Sequence, residues 1–199
     1  MAQLKIYGSH RSRANRAVWC ARELGVPFEQ IEVPASELKS ASYLTINPNG
    51  KVPALVDGDV KLFESLAITL YLAKRYGAGK LYPANPADEA RVFQWTLWAA
   101  TEVEPDVVPI LYHRVLHRDD ATAEAADAAE ARLRKTLKVL DDALKGREWL
   151  IGNDFSIADL NVAGVLAATV MGKMNYSSLP NAKPWLDRCL ARRDRALNG

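Results

Sequence analysis

Apolar and polar side chains alternate through Leu4-Lys5-Ile6-Tyr7 up to the loop Gly8 to Arg11, which is the period of a short half-buried strand. The period then changes. From Arg13 to Leu24 the residues Ala14, Ala17, Val18, Ala21 and Leu24 recur at helical spacing, and Gly25 followed by Pro27 closes the run. Phe28 to Val33 reads as a second strand. Strand, helix and strand with such short connections predict a βαβ unit, with parallel strands and a right-handed crossover.

Val52 to Val56 and Val60 to Phe63 are short apolar runs separated by Asp57-Gly58-Asp59, the pattern of an antiparallel hairpin. Ser65 to Tyr76 reads as a second amphipathic helix, with Leu66, Leu70 and Ala73 on one face and Gly77 just past its end. Between Gly77 and Pro86 there are two Gly and two Pro in ten residues, which breaks regular structure and marks a linker. The expected organisation is therefore a βαβ-ββα domain over residues 1–78, a linker over 79–88, and a second domain over 89–199.

Everything after Asp88 reads as helix. In Ala121 to Lys145, Leu133, Leu137, Leu140 and Leu144 repeat among charged residues and Gly146 ends the run. Ser156-Ile157-Ala158-Asp159 is patterned as a capping box, worth on the order of 1 kcal/mol at the cap. It opens a helix whose Leu160, Val162, Ala163, Val165 and Leu166 leave little polar surface, so that helix belongs in a core. The fold class expected is α/β followed by all-α.

Bulk composition excludes more than it suggests. A chain of 199 residues with 49% hydrophobic content buries a substantial core, and 26 basic against 24 acidic residues give a net charge of only +2. That balance provides no footprint for nucleic acid or an anionic membrane. No charged leader followed by an apolar stretch and no membrane-spanning run is read. Cys20 and Cys189 form no CxxC or Cys/His cluster, so neither a disulfide framework nor a metal site is expected, and a reducing cytoplasm is the expected location.

Chemistry is expected at three loops. The segment from Gly8 to Asn15 carries the chain from a strand into a helix, so amides and the positive helix end converge near Ser12 and favour an anion there. Ser12 reads either as a helix cap or as a donor to a ligand's thiolate, and the two roles are compatible. In Asn47-Pro48-Asn49-Gly50-Lys51-Val52-Pro53 a turn precedes a proline that opens a strand. A cis Val52–Pro53 bond there would turn the Val52 backbone toward an extended peptide; trans is the usual state. Glu64 and Ser65 stand at a helix start, either as caps or as receivers of an ammonium and a carboxylate.

Taken together, Asn47 to Val56, the Asp-Gly hairpin, Phe63-Glu64-Ser65 and the Gly152 to Leu160 capping segment resemble the cytosolic glutathione transferases, over essentially the whole chain. The match is to the serine-type, theta/phi-like members. The resemblance implies a thioredoxin-like first domain that binds glutathione as co-substrate and an all-helical second domain. It implies that the Val52–Pro53 bond is cis, that Val52 pairs with the cysteinyl backbone and Pro53 sets its geometry, that Glu64 and Ser65 hold the γ-glutamyl group, and that Lys39 and Lys51 hold the glycyl carboxylate. A lysine in a polar loop, as Lys39 is, otherwise reads as solvated surface.

The family's thiol-activating position falls on Ser12. Tyr7 lies inside the strand, and Ser9 and Asn15 are reserves. Members that exchange disulfides carry a cysteine in this loop, and Ser12 to Asn15 has none; Cys20, inside an apolar helix, reads as a core thiol. The expected chemistry is attack of a glutathione thiolate on a small hydrophobic electrophile, in a pocket drawn from Ser9, His10, Trp98, Glu102, Pro105 and Tyr112, with Trp95 and Thr101 nearby. Trp95 and Trp98 read equally as core. A non-catalytic assembly module and a glutathione-dependent isomerase or dehalogenase are the rival readings. A homodimer is expected, through a face bearing Arg91, Trp95 and Glu102.

Overall fold

The computed structural model describes residues 4–198. They form two compact units: one comprises the described residues up to Pro83 together with those from Arg193 onward, and the other is Ala84–Arg192.

The first unit is built on a four-stranded sheet in the order β2-β1-β3-β4, from β1 (Leu4–Tyr7), β2 (Phe28–Ile31), β3 (Ala54–Asp57) and β4 (Val60–Phe63). β1 runs parallel to β2, with Leu4 opposite Phe28, and antiparallel to β3, with Ile6 opposite Leu55. β3 and β4 make the hairpin, Ala54 opposite Phe63. This is the thioredoxin-like βαβ-ββα arrangement. The alternation read in β1 reflects burial: Leu4 and Ile6 are buried, while Lys5 and Tyr7 are half-buried on the other face. Helices α1 (Ala14–Glu23) and α3 (Ser65–Tyr76) pack on each other and on the sheet. Their inner faces carry Ala17, Val18, Trp19 and Ala21 from α1 and Leu66, Ile68, Leu72 and Ala73 from α3. Cys20 is buried among them, its thiol donating to Thr69 O at 3.6 Å. Burial first, then the charge of Glu23, pushes that thiol far up, so Cys20 is a core group.

Three local features differ from the periodic reading. β2 stops at Ile31, because Pro34 has no amide and the chain turns into a 3-10 segment at Ala35–Glu37. β3 starts at Ala54, since Pro53 has no N–H for the ladder; the Val52–Pro53 bond is cis. Between them lies α2 (Ala41–Leu44), which the pattern did not predict. Four residues are too few to show a helical period, and the turn is started by Ser40, whose Oγ accepts from Tyr43 N at 3.2 Å.

The second unit is helical. α4 (Pro86–Trp98) starts ahead of the expected boundary, with Asn85 Oδ1 accepting from Asp88 N at 2.8 Å and Pro86 in the first turn, where a missing amide costs nothing. What the sequence presents as one long helix is interrupted: π-helical turns at Ala99–Val103 and Leu111–Val115 flank α5 (Glu104–Ile110). Pro105 in the first turn of α5 and Pro109 inside it lack the amides that would reach the carbonyls four residues back. The ladder slips instead, Glu104 N reaching Ala99 O and Leu116 N reaching Leu111 O. α6 (Ala123–Ala143) buries Leu133, Leu137 and Leu140, and α7 (Ile157–Met171) is buried nearly all round; α8 (Ala182–Asn198) follows, its residues up to Arg192 counted in this unit.

Asp159 does more than cap α7. It is 0% exposed and its carboxylate accepts four hydrogen bonds. Oδ2 takes the Ser156 amide at 3.0 Å and its hydroxyl at 2.8 Å; Oδ1 takes the Leu150 amide at 2.9 Å and the Trp185 indole at 2.8 Å. One side chain thus ties α7, the loop before it and α8.

Candidate functional site

The strand-to-helix turn after β1 is set by Gly8, whose φ of +124° is open to glycine and strained for other residues. A Cβ at Gly8 would stand 2.8 Å from Ala14 Cβ, 3.0 Å from Val52 Cβ and 3.1 Å from Ser12 Oγ. The absent side chain is therefore what lets Ser12 and Val52 approach the same point. Gly8 is held from β2: its amide donates to Ile31 O and its carbonyl accepts from Gln30 Nε2, both at 2.8 Å.

Ser12 lies half-buried just before α1. Its Oγ accepts from Ala14 N at 3.1 Å and donates to Ser9 O at 2.8 Å. The cap-like acceptor role and the ability to face an anion coexist in one hydroxyl, but its single proton is engaged with a backbone carbonyl. Asn15 Nδ2 donates to His10 O at 3.1 Å and so fixes the outer part of the loop, where His10 is exposed and Ser9 half-buried.

The Asn47-to-Val52 turn closes at Gly50, with φ +58° and no room for a Cβ, which would meet Leu38 O at 2.6 Å and Lys39 Cδ at 2.7 Å. Lys39 is drawn onto this turn, its Nζ donating to Asn49 O at 2.8 Å, beside exposed Lys51. Two residues that the pattern did not single out hold the turn from beneath: Tyr43 Oη and Asn47 Nδ2 both donate to Lys51 O, at 2.8 and 2.6 Å.

At the head of α3, Glu64 is exposed with φ 68° and ψ 115°, a strained backbone for a non-glycine residue, and makes no side-chain cap bond. Ser65 is buried at 5% exposure, and its Oγ accepts from Arg16 Nη1 at 3.0 Å. A hydroxyl that accepts one hydrogen bond keeps the capacity to donate one.

The remaining pocket candidates belong to the second unit. Trp98 stands edge-on to Trp95, centroids 5.2 Å apart, both half-buried. Thr101 hydroxyl donates back to Leu97 O at 3.0 Å, and Glu102 and Pro105 are exposed. Tyr112 lies under Arg118, whose guanidinium is 4.4 Å from the ring centroid and bidentate on Asp120. Among the described residues no His, Cys, Asp and Glu group suited to a metal ion occurs.

Residues 2–74 match the family model "Glutathione S-transferase, N-terminal domain", and residues 103–193 match "Glutathione S-transferase, C-terminal domain". Glutathione S-transferase PARB of Nicotiana tabacum is 32% identical, covering 95% of this chain and 93% of its own. The chain belongs to the glutathione S-transferase family. A probable glutathione S-transferase of Oryza sativa is 30% identical over 96% of this chain and 93% of its own. Among solved structures, the theta class glutathione S-transferase of Xanthomonas axonopodis, with glutathione bound, has a TM-score of 0.89 at 29% identity, covering 98% of this chain and 97% of that one.

In this glutathione transferase Ser12 and Val52 come close at Gly8, Lys39 reaches the turn that carries Lys51, and Glu64 and Ser65 stand at the head of α3. Arg16, Tyr43 and Asn47 were given no role of their own from the sequence. A charged residue between Ala14 and Ala17 in the mostly apolar first turns of α1 was the one available signal for Arg16, since a buried guanidinium needs a partner. Tyr43 and Asn47 act on a backbone carbonyl, which leaves no side-chain pattern to find.

Proposed function

We propose that this glutathione transferase ionises the thiol of glutathione at Ser12 and directs the thiolate onto a small hydrophobic electrophile. The observation that carries the reading is the convergence of Ser12 Oγ and Val52 on the space above Gly8. In this reading Val52 pairs with the cysteinyl backbone beside Pro53, Lys39 and Lys51 attract the glycyl carboxylate, and Glu64 and Ser65 hold the γ-glutamyl ammonium and carboxylate.

A free thiol near pH 7 is only a few per cent thiolate. The Ser12 hydroxyl turns its proton from Ser9 O to the sulfur when the anion arrives, keeping the Ala14 amide as its own donor; the N-terminus of α1 adds its positive end. One pKa unit corresponds to about 1.4 kcal/mol, within reach of a single charge-assisted hydrogen bond. The thiol proton leaves to water. The sulfur then forms a bond to the electrophilic carbon as the bond to the leaving group breaks, and the leaving group departs with that electron pair.

The residues proposed for the electrophile are Ser9 and His10 in the first unit and Trp98, Glu102, Pro105 and Tyr112 in the second, and a cytoplasmic location is proposed, in keeping with the free buried thiols Cys20 and Cys189. A homodimer is proposed: Phe93 and Leu97, one turn apart on α4, and Phe63 on β4 are large apolar side chains left exposed. Sedimentation should give twice the chain mass at micromolar concentration, and a monomer there would refute the dimer. The functional reading is tested by turnover with glutathione and a panel of aryl halides, epoxides, isothiocyanates and peroxides. Glutathione binding without turnover on any of them would favour the assembly-module reading instead.

A further inference from the structure

The Lys51 carbonyl is gripped by two buried donors, Tyr43 Oη at 2.8 Å and Asn47 Nδ2 at 2.6 Å, with Tyr43 5% and Asn47 2% exposed. That carbonyl and the Val52 amide are the two ends of a single planar peptide unit, so fixing the oxygen fixes where the Val52 N–H points. Hydrogen bonds accepted at the oxygen also polarise the unit and strengthen its N–H as a donor. Asn47 belongs to the same turn, with Oδ1 accepting from Asn49 N at 3.0 Å, and therefore moves with it. Tyr43 comes from α2, and its ring is tilted against Tyr7 of β1 with centroids 6.0 Å apart, so its hydroxyl refers the turn to the sheet. Burial, then the neighbouring Tyr7 phenol, raises the Tyr43 pKa, which keeps the donor proton in place across neutral pH.

We propose that Tyr43 is a positioning residue of the glutathione site: its hydroxyl holds the 51–52 peptide plane so that the Val52 N–H is aimed at the cysteinyl carbonyl of the bound tripeptide. The inference rests on the reading above that Val52 pairs with the cysteinyl backbone. Tyr43 touches neither the sulfur nor the electrophile in this role, so it acts on binding and not on the chemical step.

The test is Tyr43→Phe, which keeps the ring and removes one oxygen, measured by calorimetry with two ligands: glutathione, and an analogue whose cysteinyl carbonyl is reduced to methylene. With glutathione the variant should bind on the order of five- to tenfold more weakly, the loss of about one net hydrogen bond. KM for glutathione should rise in step while kcat at saturation moves less than twofold. With the analogue, parent and variant should bind alike, because the contact that Tyr43 aims is already absent; this non-additivity is the signature that a merely structural role lacks. Equal glutathione affinity in parent and variant would overturn the proposal. So would an equal loss with both ligands, which would place the effect elsewhere than Val52. If the analogue binds the parent as well as glutathione does, the Val52 pairing itself fails, a result distinct from the failure of Tyr43 alone.

Discussion

Arg16 Nη1 donates to Ser65 Oγ at 3.0 Å, joining the first turn of α1 to the first residue of α3 across 49 positions of sequence. Both side chains are buried, Arg16 at 8% exposure. The pair ties together the two helix N-termini of the candidate site.

Ser65→Ala should therefore act twice. It removes a proposed γ-glutamyl donor and it takes a partner from a buried guanidinium, a penalty of about 1–3 kcal/mol. Calorimetry should show glutathione affinity falling on the order of tenfold, and melting should show a loss of stability. Unchanged affinity in the folded variant would remove Ser65 from the site.

Ser12→Ala separates the thiolate donor from the cap. Loss of the bond from Ala14 N costs about 1 kcal/mol of stability. Loss of the donor should slow conjugation on the order of tenfold or more at neutral pH, with glutathione affinity little changed and activity returning as alkaline pH ionises the thiol unaided. A variant that keeps the parent's pH–rate profile would leave Ser12 as a cap only, and Ser9 and Asn15 would be next.

Asp57, at the end of β3, accepts from Tyr76 Oη at 2.6 Å and Tyr71 Oη at 2.8 Å and pairs with Arg75 at 3.2 Å, all from α3. Burial alone would raise its pKa, but the two phenols and the guanidinium outweigh it and hold the carboxyl below the ordinary range. Tyr71, half-buried and bonded to that carboxylate, is pushed up to about 12, by desolvation first and then by Asp57. A carboxyl whose folded pKa is depressed contributes stability that is complete above its unfolded pKa, about 4, and lost as pH falls below it. Melting temperature should drop between about pH 5 and 3, and Asp57→Asn should lower it at pH 7 while flattening that acid limb. An acid limb identical in parent and variant would exclude Asp57 as its source.

Asp159→Ala should cost more than a cap. Four donors, two of them amides, lose a buried acceptor together, so the expected loss is about 3–5 kcal/mol rather than about 1. Chemical denaturation measures it, and a loss near 1 kcal/mol would return Asp159 to the rank of an ordinary cap.

The sequence by itself determined the elements whose signal is local and repeated. β1 is legible because Leu4 and Ile6 alternate with Lys5 and Tyr7, the hairpin because Gly58 sits between two apolar runs, α3 because its bounds carry Ser65 and Gly77, and α6 because Leu133, Leu137 and Leu140 keep one face. Motifs placed Ser12, Lys51, Val52, Glu64 and Ser65 on strand-to-helix and turn positions for the same reason: each is read within a few residues of a glycine, proline or helix start. Only the tertiary structure decided what those groups touch. Arg16 finds Ser65, Tyr43 finds the Lys51 carbonyl and Trp185 finds Asp159, over separations of 49, 8 and 26 residues. The slipped turns around Pro105 and Pro109 are of the same kind, because a missing amide says where a ladder breaks but not how packing re-forms it. Periodicity records which face a residue turns to the core; a hydrogen bond depends on what the core brings to meet it.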